Sequence, residues 1–197
     1  MSRRDNAALR CPACLLHREV CLCALVPNPP LPVTTQLRLV IHRLEARKPT
    51  NTGRLAARCL AGSEVIERGH ENAPSAELVA APGTTLLLLF PHADATALTA
   101  ADGPATLVVP DGTWSQAAKV RRRVPGLAAA RCVTLPPGPP SRYQLRHEAH
   151  AHGLATMEAI ARAIGILDGA PAQRALEAVF DEFVDRTLRV RGERRVT

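Results

Sequence analysis

The chain has 197 residues, 46% hydrophobic and 22% charged, an ordinary globular composition long enough to bury one α/β core and a small appendage. Its net charge of +7 is carried by arginine, with lysine only at Lys48 and Lys119; this suits a polyanionic partner such as RNA or DNA, although a bias towards Ala and Arg would also produce it. One Trp, one Tyr and three Phe are too few for an extended base-stacking surface, and no apolar run approaches the ~20 residues of a membrane span.

The N-terminus, Met1-Ser-Arg-Arg-Asp5, leads into cysteines and not into an apolar stretch, so no secretion signal is read and a cytoplasmic location is expected. Cys11, Cys14, Cys21 and Cys23 form a CxxC-x6-CxC array. In a reducing compartment this pattern implies a zinc ion held by four thiolates with no open position, a structural staple. His17 ranks below Cys23 as a ligand, and a redox-active CxxC would need a strand–helix setting that is absent. Pro27, Pro29, Pro30 and Pro32 stiffen the linker that follows, which divides the chain into a knuckle with its linker, 1–35, and a main domain, 36–197.

Gln36 to Ile41 reads as the first buried strand. It runs into His42-Arg43-Leu44-Glu45, then Lys48-Pro-Thr-Asn51-Thr-Gly-Arg54, and a helix over Leu55 to Leu60 with Asn51 or Thr52 as its cap. Glu64 to Arg68 is a short strand, and Thr85 to Phe90 a continuous apolar one of the kind found inside parallel sheets. Pro91-His92-Ala93-Asp94 ends it, and a helical stretch follows around Ala95 to Ala101. The strand from Ala105 breaks at Pro110-Asp111-Gly112, and a helix runs from Trp114 past Lys119 to Arg121-Arg122-Arg123. Arg131 to Leu135 is the last strand, and Cys59 and Cys132 read as core fillers.

Pro136 to Arg146 is a proline-rich loop too long for a simple connector. Two helices close the chain: Gly153 to Ile164, and Pro171 to about Val190, the latter burying Leu176, Val179, Phe180, Phe183 and Val184. The alternation predicts an α/β fold, a mostly parallel sheet flanked by helices. Such sheets bind ligands beyond the carboxyl ends of their strands, where Asp111, Thr113 and Ser115 crowd together. Asp111 there serves chemistry or caps the following helix.

Asn51-Thr-Gly-Arg-Leu55, Phe90-Pro91, Asp111-Gly-Thr-Trp-Ser-Gln116, Ser141-Arg-Tyr-Gln-Leu-Arg146 and Thr156-Met-Glu-Ala-Ile160 follow the cysteines in a fixed order. Together they resemble the DTW-domain family of tRNA-uridine aminocarboxypropyltransferases, from Cys11 to about Leu188. The resemblance implies a SPOUT-like fold with a C-terminal trefoil knot. It also implies S-adenosylmethionine as donor and transfer of its 3-amino-3-carboxypropyl group to N3 of a uridine in tRNA, releasing methylthioadenosine.

Within that resemblance, Asp111 is the candidate base or proton acceptor for uridine N3, with helix capping and donor binding as its other roles. Phe90, Pro91, Thr113, Trp114, Ser115 and the loop after Leu135 form the donor pocket, Trp114 being either its wall or a core residue. Tyr143 and Thr156 shape the pocket on the donor side and Asn51 on the substrate side. Arg146 and Arg54 have the fork to bind the donor carboxylate or a tRNA phosphate. Arg43, Arg47, Lys48, Lys119, Arg121, Arg122 and Arg123, with the knuckle, grip tRNA. The rival readings are a methyltransferase using the same donor, a non-enzymatic zinc-containing RNA-binding module and, least favoured, a cysteine hydrolase.

Overall fold

The apolar runs pair side by side. In the computed structural model, which describes residues 8–70, 75–143 and 153–192, six strands make one sheet. They are β1 (Gln36–His42), β2 (Glu64–Arg68), β3 (Thr85–Leu89), β4 (Thr96–Ala97), β5 (Ala105–Asp111) and β6 (Arg131–Thr134), in the order β2-β1-β5-β3-β6-β4. Every pair is parallel, as the strand–helix alternation predicts. β5 is buried at all of its positions because helices and loops cover both faces.

Successive side chains point to opposite faces, so the strands feed two cores. Leu37, Leu39, Leu87, Leu89, Leu107 and Val109 enter the larger one, which α2 (Gly53–Cys59), α5 (Thr156–Leu167) and α6 (Ala170–Arg191) cover. Val40, Leu88 and Val108 enter the smaller, under Val120 of α4 (Val120–Arg123) and the neighbouring Val124 and Leu127. The buried stripe of α6 comprises Leu176, Val179, Phe180, Phe183, Val184 and Leu188, the helical spacing read from the sequence and one residue more. The α5–α6 turn is tied back to the start of β1, where Asp168 Oδ1 accepts from Thr34 N at 2.5 Å and Thr34 Oγ1 at 2.7 Å.

Three expectations are corrected. Ala95 to Ala101 forms no α-helix; β4 and a 3-10 turn at Ala100–Asp102 occupy it. Leu98 N donates to Thr134 O at 2.9 Å, and Asp102 Oδ2 accepts from Thr99 N at 2.7 Å, so pairing with β6 and a local cap override alanine's helix tendency. β5 does not stop before Pro110 but continues through Pro110 and Asp111. The ladder with β3 ends at Val108, so the missing N–H of Pro110 costs no pairing on that side. The helix after Trp114 is interrupted at Lys119, giving α3 (Trp114–Ala118) and α4.

The N-terminal segment is built into the larger core. Leu16 and Leu22 are buried in it, Leu31 N donates to Cys59 O at 2.8 Å, and Arg186 Nη1 of α6 donates to Cys21 O at 2.6 Å. Whether the chain is knotted depends on its whole path, and that path includes 144–152, outside the described residues. Among the described residues no helix is long and apolar enough to cross a membrane.

This packing makes Leu22 a test of how the N-terminal segment is integrated. Leu22→Ala should destabilise the whole chain by about 2–5 kcal/mol in a single denaturant transition, because it opens a cavity in the common core. A separate early transition with an unchanged main one would show instead that the segment folds on its own.

Candidate active site and metal centre

β5 lies between β1 and β3, and beyond their carboxyl ends opens a cleft of about 1340 Å³. Asp111, the last residue of β5, is only 8% exposed at its edge. Its Oδ2 accepts from Asn51 Nδ2 at 2.6 Å and its Oδ1 from Thr156 Oγ1 at 2.8 Å. The other end of the Asn51 amide fixes which atom faces Asp111, because Asn51 Oδ1 accepts from Arg54 N at 3.0 Å. Thr52 Oγ1 accepts in turn from Met157 N at 3.2 Å, which joins the start of α2 to the start of α5. A Cβ on Gly53 would lie 2.5 Å from Asp111 Oδ2, so only glycine leaves room for the carboxylate.

Helix capping falls to Thr113 and not to Asp111. Thr113 Oγ1 accepts from Gln116 N at 3.3 Å and Gln116 Oε1 from Thr113 N at 2.8 Å, a reciprocal capping box. Asp111 therefore faces α2 and α5. Trp114 is 39% exposed and its ring lies 5.6 Å from that of Phe90, so it is a cleft wall and not a core residue.

The far side of the cleft is the proline-rich loop, and Glu158 of α5 secures its end. Glu158 Oε2 accepts from Ser141 Oγ at 2.5 Å and Ala155 N at 2.9 Å, while Oε1 accepts from Arg142 N at 2.7 Å. Tyr143 donates to Thr50 O at 3.0 Å and stacks its ring 6.0 Å from Phe180, which ties this loop to the one before α2. Arg162 Nη2 donates to Pro139 O at 2.7 Å and also lines the cleft.

The structure thus gathers Phe90, Pro91, Thr113, Trp114, Ser115, Leu135, Tyr143, Thr156 and Asn51 on the cleft. Arg146 lies outside the described residues. Arg54 points away, its Nη1 donating to Ala46 O at 3.3 Å in a small hollow beside Cys14 and Lys48. Of the remaining basic candidates, Lys48 pairs with Glu45 at 2.6 Å and Arg121 with Asp94 at 2.8 Å; Arg43, Arg47, Lys119, Arg122 and Arg123 are exposed, and none of these seven lines the cleft. Three residues escaped the sequence reading as site residues: Glu45 of α1 (Arg43–Ala46), a buried carboxylate on the cleft, Glu158 and Arg162. Only Glu158 carried a signal, its place next to Thr156 at a helix start.

The four knuckle sulfurs converge within 4.8 Å of one another, with Cys11–Cys23 at 3.6 Å and Cys14–Cys21 at 3.7 Å. A tetrahedron of thiolates at ordinary zinc–sulfur distance has edges of about 3.8 Å, so the set fits a closed zinc site. The backbone N–H groups of Cys14 and Ala13 hold the Cys11 thiol down to about 6, which favours the thiolate a metal needs. Arg58 Nη2 of α2 donates to Cys23 Sγ at 3.5 Å, a cation against a site that four thiolates would make negative. His17 faces Glu19 at 3.6 Å and is not part of the cluster. Cys59 and Cys132 are buried, and burial pushes the Cys59 thiol up to about 11 and raises that of Cys132, which removes both as nucleophiles.

Residues 8–188 match the DTW domain family. The chain is 31% identical over 179 residues to tRNA-uridine aminocarboxypropyltransferase 2 of Drosophila melanogaster, covering 86% of this chain and 70% of that one. It is 30% identical to the Macaca fascicularis protein of the same name, covering 80% of this chain and 56% of that one. Among solved structures, the SAM-dependent rRNA:acp-transferase Tsr3 from Vulcanisaeta distributa aligns with a TM-score of 0.48 and 20% identity over 79% of this chain and 78% of that one.

Two measurements check this geometry. Gly53→Ala should cost about 1–3 kcal/mol of stability by driving a methyl group into Asp111. Purified protein should carry about one zinc per chain, and Cys11→Ser or Cys23→Ser should lose it and lower the melting temperature. A metal-free wild type with an unchanged melting temperature would remove the staple.

Proposed function

The chain belongs to the DTW domain family, and from that premise we propose that it transfers the 3-amino-3-carboxypropyl group of S-adenosylmethionine to N3 of a uridine in tRNA. The observation that carries the reading is Asp111, fixed between Asn51 and Thr156 at the mouth of a cleft walled by Phe90 and Trp114. The cleft volume and its aromatic wall suit an adenosine with an amino-acid tail. When bound, the donor supplies an electrophilic carbon whose bond to sulfur breaks with neutral methylthioadenosine leaving.

No general acid is required, and the task left to the chain is the proton on uridine N3. Asp111 accepts that proton or holds the N–H while nitrogen attacks, and its negative charge also favours a sulfonium nearby. Asn51 and Thr156 orient the carboxylate. Trp114 and Phe90 hold the adenosine or methionine end, with Pro91, Thr113, Ser115, Leu135 and Tyr143 completing the pocket. Choice of the larger group over the methyl is a matter of orientation, because one sulfonium bears both. Arg162 on the cleft, together with Arg146, supplies the guanidinium for the donor carboxylate; Arg54 is assigned to tRNA, beside the knuckle. Residues 1–35 act as a zinc-stapled support and 36–197 as the transferase unit, and the enzyme works in the cytoplasm. Arg43, Lys48, Lys119, Arg121, Arg122 and Arg123 form the tRNA side, with Lys48 and Arg121 already partnered by Glu45 and Asp94.

Incubation of unmodified tRNA with the protein and S-adenosylmethionine should yield a nucleoside heavier by one aminocarboxypropyl group, with methylthioadenosine released. Asp111→Ala should slow turnover by about 10²–10⁴-fold. Trp114→Ala should weaken donor binding by about 0.5–1.5 kcal/mol. A methyl-sized gain would make the protein a methyltransferase; RNA binding with no mass change across several tRNAs would make it a binding module.

A further inference from the structure

Arg68, the last residue of β2, is 5% exposed, yet no ion pair with a carboxylate relieves it among the described residues. Its Nη2 donates to Gln116 O of α3, and its Nε, shielded from solvent, has no hydrogen-bond partner among the described residues. Five other arginines do meet carboxylates: Arg38 on Glu64, Arg121 on Asp94, Arg131 on Asp102, Arg142 on Asp181 and Arg186 on Glu182. A buried cation without a counter-ion is expensive, and structures keep one where a ligand anion relieves it.

More positive charge surrounds it. Burial lowers the Arg68 guanidinium from its ordinary value, and Arg123 adds repulsion. His42, the β1 residue in register with Arg68, is pushed below its usual value by burial first and then by Arg68, Arg43 and Arg123, against the opposing pull of Glu45. His42 Nδ1 accepts from Leu44 N at 3.3 Å, which leaves the neutral ring's proton on Nε2 as a donor. Arg43 Nε donates to Gly69 O at 2.7 Å, holding that exposed side chain over the same edge. Gly69, with φ +91°, passes so close to the ring that a Cβ would lie 2.9 Å from His42 Nε2.

This cluster lies on the other face of the sheet from the Asp111 carboxylate: His42 and Arg68 follow Val40 and Ile66 on one face, and Asp111 follows Leu107 and Val109 on the other. Ile41 is in register with Asp111 and His42 with Arg68, so Asp111, His42 and Arg68 end three adjacent strands on one edge of the sheet. Two strand spacings, about 10 Å, separate the backbones of Arg68 and Asp111, and their side chains diverge to opposite faces. An unstacked RNA loop that sends one uridine into the cleft carries neighbouring phosphates round the carboxyl edge of the sheet to this side.

We propose that His42, Arg43 and Arg123, gathered around the buried Arg68, form a site for one backbone phosphate of the RNA substrate that sends its uridine into the cleft. This rests on the reading that the substrate is tRNA. Arg43 and Arg123 touch the phosphate, His42 donates from Nε2, and Arg68 is a positioning residue that supplies positive potential from beneath.

The test is tRNA binding by fluorescence anisotropy over a range of salt, for wild type, the double variant Arg43→Gln/Arg123→Gln and the control Arg174→Gln. Arg43, Arg123 and Arg174 are exposed, so all three proteins should fold. The double variant should bind more weakly, with a plot of log affinity against log salt shallower by about 0.7–0.9, the loss of one phosphate contact. S-adenosylmethionine affinity by calorimetry should not change, and Arg174→Gln should match wild type. An unchanged salt slope in the double variant overturns the proposal. So does inorganic phosphate that raises the melting temperature of wild type alone while the tRNA slope stays put, since the cluster then takes free anions. Wild type that makes the aminocarboxypropyl product with a slope insensitive to these residues sinks the phosphate site and leaves the transfer reading standing. Wild type that binds tRNA through them but makes no product does the reverse.

Discussion

The hydrogen bonds that Asp111 accepts from Asn51 and Thr156 join three segments far apart in the chain: the end of β5, the start of α2 and the start of α5. Each contributes backbone as well as side chain. Asn51 takes the Arg54 N–H, Thr52 takes that of Met157, and Gly53 gives up its side chain so that the carboxylate can approach. Removing the carboxylate would leave polar groups of two helix starts facing a void, so its role in holding the cleft and any role in chemistry are physically inseparable. This is why three short motifs scattered along the sequence come together at one site.

The metal centre is connected to that arrangement through α2, a helix of two turns. Arg58 near its end touches Cys23, while Asn51 just before its start touches Asp111. The knuckle is held from the other side by Arg186 of α6 and by Leu16 and Leu22 in the common core. A staple of this kind fixes where α2 sits. Four thiolates would leave a bound zinc no open position, so its influence on the cleft would be mechanical.

The parallel sheet, the two-sided burial of its central strands and the stripe of α6 were legible because they follow from apolar periodicity, which depends only on neighbours in sequence. So were the four thiolates, whose spacing is local. The Ala95–Ala101 stretch misled because its fate was decided by the edge of β6, a partner more than thirty residues away. Capping was one of two roles open to Asp111 in the sequence, and the structure gives it to Thr113, whose Gln116 three residues on completes a capping box. The basic candidates divided mostly through contacts distant in sequence. Lys48 has its carboxylate three residues before it, but Arg121 meets Asp94 only in the folded chain, and Arg43 and Arg123 gather round Arg68. Glu45 and Arg162 reach the cleft from helices with no motif to mark them.

The proline-rich wall has a further consequence. Pro136, Pro137, Pro139 and Pro140 fix their own φ angles, and Glu158 clamps the end of the segment. Much of the conformational freedom that an ordinary loop would lose on closing over a small molecule has already been removed during folding. The same prolines carry no N–H, so of residues 136–140 only Gly138 has a backbone donor, and the Pro139 carbonyl is already taken by Arg162. Backbone N–H groups are a common cradle for phosphates, and this stretch of wall is nearly without them. An anion that meets it is left to the guanidinium of Arg162, a single fork on a stiff support.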